Sequence, residues 1–144
     1  MLHAFPYDNI YTGCLVLLVA FGFHWMGQAL SVFDWEFAER LGLQEKDAPH
    51  EYRVYEHGIA VADVSIGWIH GVAGVGLLLG TSWGYKLAWF PGVVLLYHAI
   101  SFWAWTANQR KAGHILNSTA VRFGWIAANL ITGFMAIIVA WIAS

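Results

Sequence analysis

Charged side chains are scarce in this sequence, and their scarcity excludes several classes of protein. Only 11% of its 144 residues are Asp, Glu, Lys or Arg, whereas 59% are hydrophobic. Ordinary soluble domains carry about 25% charged residues, so the composition indicates a protein of the lipid bilayer. The formal net charge is -2, and no basic face is available to neutralise phosphates, which argues against a nucleic-acid partner.

Several familiar functional signals are also absent. The single cysteine, Cys14, lies in an apolar run and has no intrachain partner for a disulfide. The N-terminus has no Lys or Arg and no small-residue cleavage pattern follows it, so we expect the first apolar segment to remain as a membrane span. Neither a G-x-S-x-G motif nor a phosphate-binding glycine-rich loop occurs, so the sequence indicates no nucleophilic or nucleotide chemistry.

Long apolar runs make up most of the chain and predict an all-α integral membrane protein, a four-helix transmembrane bundle with a single domain over residues 1–144. The predicted spans cover residues 10–32, 56–79, 88–108 and 118–143. Each is long enough to cross a hydrocarbon layer of ~30 Å. Phe33, Phe37 and Leu41 recur every four residues among charged neighbours, which predicts a short interfacial amphipathic helix after the first span.

The basic residues are distributed unevenly between the two ends of this bundle. Six of the seven Lys and Arg residues lie at the end that carries the first and third loops, and only Lys86 lies at the other. Cytoplasmic loops are enriched in Lys and Arg, so both termini are predicted to be non-cytoplasmic, in a bacterial-type inner membrane. Asp47 and Pro49 predict a capped start for the second helix, ahead of its membrane-spanning part.

Polar side chains inside the spans are the most informative feature. Glu56, Asp63 and His70 are spaced by seven residues, so they project from nearly the same helix face. An aspartate at the centre of a span costs about 2.5 to 3.5 kcal/mol, so Asp63 needs a partner or a water-filled cavity. A hydrogen bond between His24 of the first span and Asp63 would satisfy both groups. Glu56 and Asp63 together predict a proton path from the cytoplasmic mouth.

Two histidines of neighbouring spans are predicted to lie at the same depth. His70 and His98 each lie 14 residues from Gly84, so a turn centred on Gly84 places both imidazoles roughly 21 Å from it. Two facing imidazoles can ligate a haem, for which Gly67 and Gly71 beside His70 would leave a slot. We therefore predict haem b or a bound transition metal as the cofactor, with His70 and His98 as the cofactor-binding pair.

His24 offers a third imidazole nitrogen to the same region. The predicted set of metal ligands is therefore His24, Asp63, His70 and His98. A non-haem site of His24, Asp63 and His98 is a rival arrangement, since it combines hard and borderline ligands. The sequence does not decide between the two.

Four spans with paired histidines in the middle are similar in layout to membrane cytochrome b subunits, which is an analogy of architecture. The leading functional hypothesis is a small integral membrane subunit of a multi-subunit redox or oxygenase-type complex. Such a chain would take part in electron transfer with other membrane subunits, as a non-autonomous part of an oxidoreductase. The alternatives are a cofactor-free accessory or scaffolding subunit and a small channel or carrier with an Asp/His proton path.

Overall fold

Four long helical stretches form the body of the molecule. The computed structural model describes residues 3–46, 48–114 and 117–143, and the regular structure of those residues is entirely helical. The helices are α1, Asp8–Phe33; α2, Trp35–Arg40; α3, His50–Leu78; α4, Ser82–Leu87; α5, Trp89–Lys111; and α6, Thr119–Ala143. Within the described residues, α1, α3, the continuous stretch of α4 and α5, and α6 are each long and apolar enough to span a membrane. The predicted four-span bundle is confirmed.

A six-residue helix, α2, follows the first span after the single residue Asp34. The carboxylate of Asp34 accepts a hydrogen bond from the backbone N–H of Phe37 at 2.9 Å, which satisfies one of the free donors at the helix start. The interfacial position of α2 stays a prediction. The cap predicted at Asp47 lies outside the described residues, and α3 begins at His50 directly after Pro49.

The first span does not keep one helical geometry along its length. Its middle, Val16–Met26, is wound as a π-helix between the α-helical segments Asp8–Leu15 and Gly27–Phe33. Turns of this kind are rare and are found frequently at functional sites. His24 lies in the π-helical stretch, so its direction differs from the one that regular α-helical spacing predicts.

The helices approach most closely near the α3–α4 turn, the start of α1 and the end of α6, a region that we call the packed half. A Cβ atom added to Gly92 of α5 would lie 3.2 Å from the carbonyl oxygen of Gly133 in α6. The backbone of Gly84 in α4 presses in the same way against the backbone of Gly76 in α3. Small residues let helix backbones meet at this distance. The core side chains around these contacts include Val16, Leu77, Tyr85, Leu95 and Val139.

The chain reverses direction after α3 at Gly80, which has a positive φ of 63°. Glycine tolerates this left-handed conformation because it has no Cβ atom. The hydroxyl of Thr81 then accepts a hydrogen bond from the backbone N–H of Gly84 at 3.2 Å and caps α4. The sequence predicted a turn centred on Gly84, but the chain turns four residues earlier, at Gly80. The residues of α3 and α5 that lie opposite each other therefore differ from the predicted ones.

Candidate functional site: a polar pocket between the spans

The half of the bundle opposite the packed half contains a cavity of about 980 Å³, and we call this region the open half. Aromatic and aliphatic side chains from all four spans line the cavity, among them Phe23, Ile59, Phe102, Trp105 and Trp125. Ligand pockets typically enclose about 300 to 1,000 Å³ and are mostly apolar with a few converging polar groups. The volume and the walls of this cavity match that description.

One polar side chain from each of the four spans comes together beside this pocket: His24, Asp63, His98 and Asn129, which we call the polar cluster. His24 Nε2 lies 2.6 Å from Asn129 Oδ1, and Asp63 Oδ1 lies 3.4 Å from His98 Nε2. The rings of His24 and His98 are in contact, with centroids 4.7 Å apart. Polar groups at this depth are costly unless they are paired, and here they are paired across helices.

The hydrogen bonds of Asn129 determine which nitrogen of His24 carries a proton. The side-chain amide nitrogen of Asn129 donates to the backbone carbonyl of Trp125 at 2.8 Å, so the amide oxygen faces His24. Nε2 of His24 must therefore donate to that oxygen, and Nδ1 of the neutral ring keeps a free lone pair. His24 is only 6% exposed, yet its side chain forms part of the pocket wall.

His98 connects the pocket to Asp63. The ring of His98 belongs to the pocket wall, and the carboxylate of Asp63 lies on one of its nitrogens. The second oxygen of Asp63, Oδ2, is buried and has no hydrogen-bond partner among the described residues. The predicted bond between His24 and Asp63 is therefore replaced by two other pairs, His24 with Asn129 and Asp63 with His98.

His70 lies nearer the packed half than the polar cluster does. Its ring packs on Phe90 of α5, with centroids 5.0 Å apart. Phe90 precedes His98 by eight residues, which corresponds to roughly 12 Å along a helix. The turn at Gly80 explains this difference in level, because it pairs Asp63 with His98. The two imidazoles that the structure brings into contact are those of His24 and His98.

The glycines beside His70 do not face an open slot. A Cβ atom on Gly67 would lie 2.7 Å from Trp25 Cδ1, and one on Gly71 would lie 2.8 Å from the Phe21 ring. The rings of Phe21 and Trp25 stack on each other at 4.9 Å. Side chains of α1 therefore occupy the space in which the sequence predicted a flat cofactor next to His70.

Acidic side chains line the mouth of the pocket, and a short segment of the protein chain lies across it. Glu56 lines the same cavity as His98, so the pocket connects the two residues of the predicted proton path, Glu56 and Asp63, through His98. Residues 41–46 after α2, which we call the covering segment, lie across the mouth. Glu45 in this segment accepts hydrogen bonds from the Tyr52 hydroxyl and from the side-chain amide of Asn117.

Two residues of the site were missed by the sequence argument, Asn129 and Trp125. Asn129 is a polar side chain in the middle of the apolar fourth span, and the cost of burying it was the signal that could have identified it. Trp125 packs its ring on that of His24, with centroids 4.8 Å apart. Such a contact depends on the direction of α6 and has no counterpart in the sequence pattern.

Among the described residues, no group of three or more His, Cys, Asp or Glu side chains is arranged to hold a metal ion. No protein-family model matches the chain, and comparisons with curated proteins and with solved structures find no match. The functional conclusion therefore depends on the chemistry of the pocket and of the polar cluster.

Proposed function

We propose that this chain is a small integral membrane subunit of a multi-subunit redox complex, and that its pocket binds a redox-active small molecule beside His24 and His98. The observation that carries the proposal is the position of these two imidazoles on the wall of a cavity of about 980 Å³ whose other walls are largely apolar. A small-molecule site is usually an apolar pocket in which a few polar groups converge.

The His98–Asp63 pair supports a role in proton transfer to and from that molecule. A carboxylate on one nitrogen of an imidazole fixes the ring and leaves the other nitrogen for exchange with a ligand. Glu56 at the mouth and the Nδ1 lone pair of His24 extend the set of groups that can hold a proton along the cavity. Redox reactions of organic molecules often couple electron and proton uptake, which this set of groups suits.

Electrons would come from partner membrane subunits, which this proposal includes. We further propose a bacterial-type inner membrane with both termini on the non-cytoplasmic side. This orientation is supported by the six Lys and Arg residues at the end of the open half, against Lys86 alone at the packed half. In it, the mouth of the pocket opens toward the cytoplasm.

Haem or transition-metal binding by His70 and His98, with His24 and Asp63 as further ligands, stays a prediction. We favour a hydrogen-bonded organic molecule because His70 packs on Phe90, whereas His24 and His98 touch each other. A channel or carrier also stays a prediction. It is less well supported, because Val16, Leu77, Leu95 and Val139 fill the packed half with at most 1% exposure each.

The test is to purify the chain in mild detergent from membranes that express it and to identify the small molecules and chains that copurify by mass spectrometry. His98→Leu is compared with His57→Leu, since His57 is exposed on the same side of the membrane and lies outside the pocket wall. We expect wild type and His57→Leu to retain a redox-active molecule that His98→Leu loses.

The proposal would be contradicted if all three chains retained the molecule equally. It would also be contradicted if wild type that copurifies with partner subunits contained no bound molecule. An absorption spectrum and elemental analysis of the same samples test the cofactor predictions. A Soret band lost in both His70→Ala and His98→Ala would support haem ligation by that pair and replace the organic ligand proposed here.

A further inference from the structure

The pocket has a second rim, which faces the hydrocarbon rather than the aqueous phase. Leu18 and Phe23 of α1 line the pocket and are 57% and 49% exposed. Val121 and Gly124 of α6 line it from the other side and are also exposed. These four residues border a gap between α1 and α6 that leads from the pocket toward the lipid, and the rings of Phe23 and Trp125 meet edge to face across it with centroids 6.2 Å apart.

The aqueous end of the pocket is more restricted. The covering segment is held by Glu45, which bonds to Tyr52 and Asn117, and by Gln44, whose side-chain amide donates to Ser31 at 2.9 Å. These bonds fix the segment to α3, to the start of α6 and to α1. A bulky ligand would have to break several of them to enter from water. Among the described residues, the gap between α1 and α6 is crossed by the ring contact of Phe23 with Trp125, and the hydrogen bond between His24 and Asn129 lies at its inner end. A ligand that enters there has to displace one apolar ring contact.

Charge around the pocket selects against anions. Three carboxylates line it, those of Glu39, Glu45 and Glu56, and Lys46 is the one basic side chain among the lining residues that the structure describes. Glu39 is paired with Arg53 at 2.7 Å. Phosphates, fatty acids and other carboxylates would meet repulsion at this end, and a charged ligand would also pay the cost of crossing the lipid. A neutral molecule fits both conditions.

The polar groups at the inner end can bind a ring carbonyl and also the corresponding hydroxyl. Nδ1 of His24 can accept from a hydroxyl, and His98, whose Nε2 faces the Asp63 carboxylate, can donate through Nδ1 to a carbonyl oxygen when its ring is doubly protonated. Gln28 lines the pocket one turn after His24, and its buried side-chain oxygen has no hydrogen-bond partner among the described residues. Buried polar atoms are rarely left unpaired in a folded protein, so this oxygen is available to a ligand.

We propose that the pocket takes a neutral, lipid-soluble quinone, which enters sideways from the bilayer between α1 and α6 and places its ring between the aromatic walls with its tail in the gap. This inference rests on the proposed function and adds to it the class of ligand and the route of entry. Quinone and quinol differ by the exchange of carbonyl for hydroxyl oxygens, which is the difference that His98, His24 and Gln28 together can accommodate.

Photolabelling tests both parts with the complete chain in phosphatidylcholine nanodiscs. The probe is an azido-substituted benzoquinone with a decyl tail, and the labelled residues are mapped by mass spectrometry. We expect labels on Trp105 or Trp125 of the pocket, which an excess of unlabelled decyl-quinone competes away. A tail-free benzoquinone at the same concentration should compete poorly, since its tail contacts in the gap are missing.

The route is tested by filling the gap. A Cβ atom on Gly124 meets nothing within 4 Å, and the same holds for Gly58, an exposed position of α3 outside the pocket. Gly124→Phe should therefore fold and lower pocket labelling about tenfold, which corresponds to roughly 1.4 kcal/mol of binding free energy. Gly58→Phe is the matched control and should label as wild type, and thermal unfolding of both variants confirms that they are folded.

Absence of competed labelling in the wild-type pocket would overturn the quinone as ligand, while the copurification experiment decides the proposed function independently. Equal labelling of Gly124→Phe and Gly58→Phe would overturn the lateral route. Labels scattered over lipid-facing residues, without competition, would show partition of the probe into lipid and would also count against the site.

Discussion

The packed half and the open half of this bundle are built from the same four spans but in different ways. In the packed half, glycine backbones touch between helices, as at Gly92 and Gly133, and apolar side chains fill the remaining space. In the open half, aromatic side chains line a cavity between the helices and four polar side chains meet beside it. The difference indicates that one half supplies stability and leaves the other free to bind.

The largest effect is expected from a methyl group placed in the packed half. In Gly84→Ala the new Cβ would meet the backbone of Gly76, which cannot move as a flexible side chain would. Overpacking of this kind should lower the free energy of unfolding by about 3 kcal/mol. Thermal or SDS unfolding in detergent, followed by circular dichroism, measures it. A loss similar to that of Gly58→Ala, where space is open, would contradict the description of this half.

A smaller loss is expected in the polar cluster. Asn129→Leu leaves the Nε2–H of His24 buried without an acceptor, which should cost about 1 to 2 kcal/mol. His24→Leu combined with Asn129→Leu should recover part of this loss, because no polar group is then left unpaired. The unfolding energies of both single variants and of the double variant form a cycle, and strict additivity would show that the two side chains do not interact.

The covering segment offers a still smaller effect on stability with a clear local signature. Tyr52→Phe removes the hydrogen bond to Glu45 and should cost about 0.5 to 1 kcal/mol. Hydrogen exchange of residues 41–46 should become faster while that of the packed half stays unchanged. Tyr55→Phe, an exposed position on the same helix, is the control, and equal exchange in the two variants would argue against a fastened segment.

The smallest effect should have the opposite sign. Gly124→Ala adds a methyl group where nothing lies within 4 Å, and alanine favours a helix over glycine by about 1 kcal/mol. We expect a gain in unfolding free energy of about 0.5 kcal/mol in the same assay. The same glycine-to-alanine change would then destabilise the packed half at Gly84 and stabilise the open half at Gly124. A decrease in the unfolding free energy of Gly124→Ala would contradict this distinction.

The sequence was sufficient for the number of spans and for the polar residues that needed an explanation, but not for their partners. Apolar runs determine the length of each helix, and the cost of a buried charge identified Asp63 in advance. Which side chains meet depends on helix rotation and register, and one residue of shift turns a side chain by about 100°. The helix α4 and the turn at Gly80 changed the register, so that His98 faces Asp63.

The rotation of the first span about its own axis could not be predicted from the sequence pattern either. The π-helical stretch Val16–Met26 changes the direction of His24, and no apolar periodicity reports such a change. Asn129 was then the partner rather than Asp63. The pocket arises from the relative directions of the four helices. Local patterns in a sequence of mostly apolar residues do not report these directions.

The short helix α4 has a consequence for how such a site can change during evolution. It lies at the end of the bundle, between Gly80 and the start of α5 at Trp89, with Gly84 and Tyr85 buried in the packed half, and its length sets which step of α5 stands opposite Asp63. Deleting one turn of it would slide α5 by about 5 Å and give the carboxylate a different neighbour. A small insertion or deletion in this connecting helix would therefore change which polar side chains meet, without altering any residue of the polar cluster.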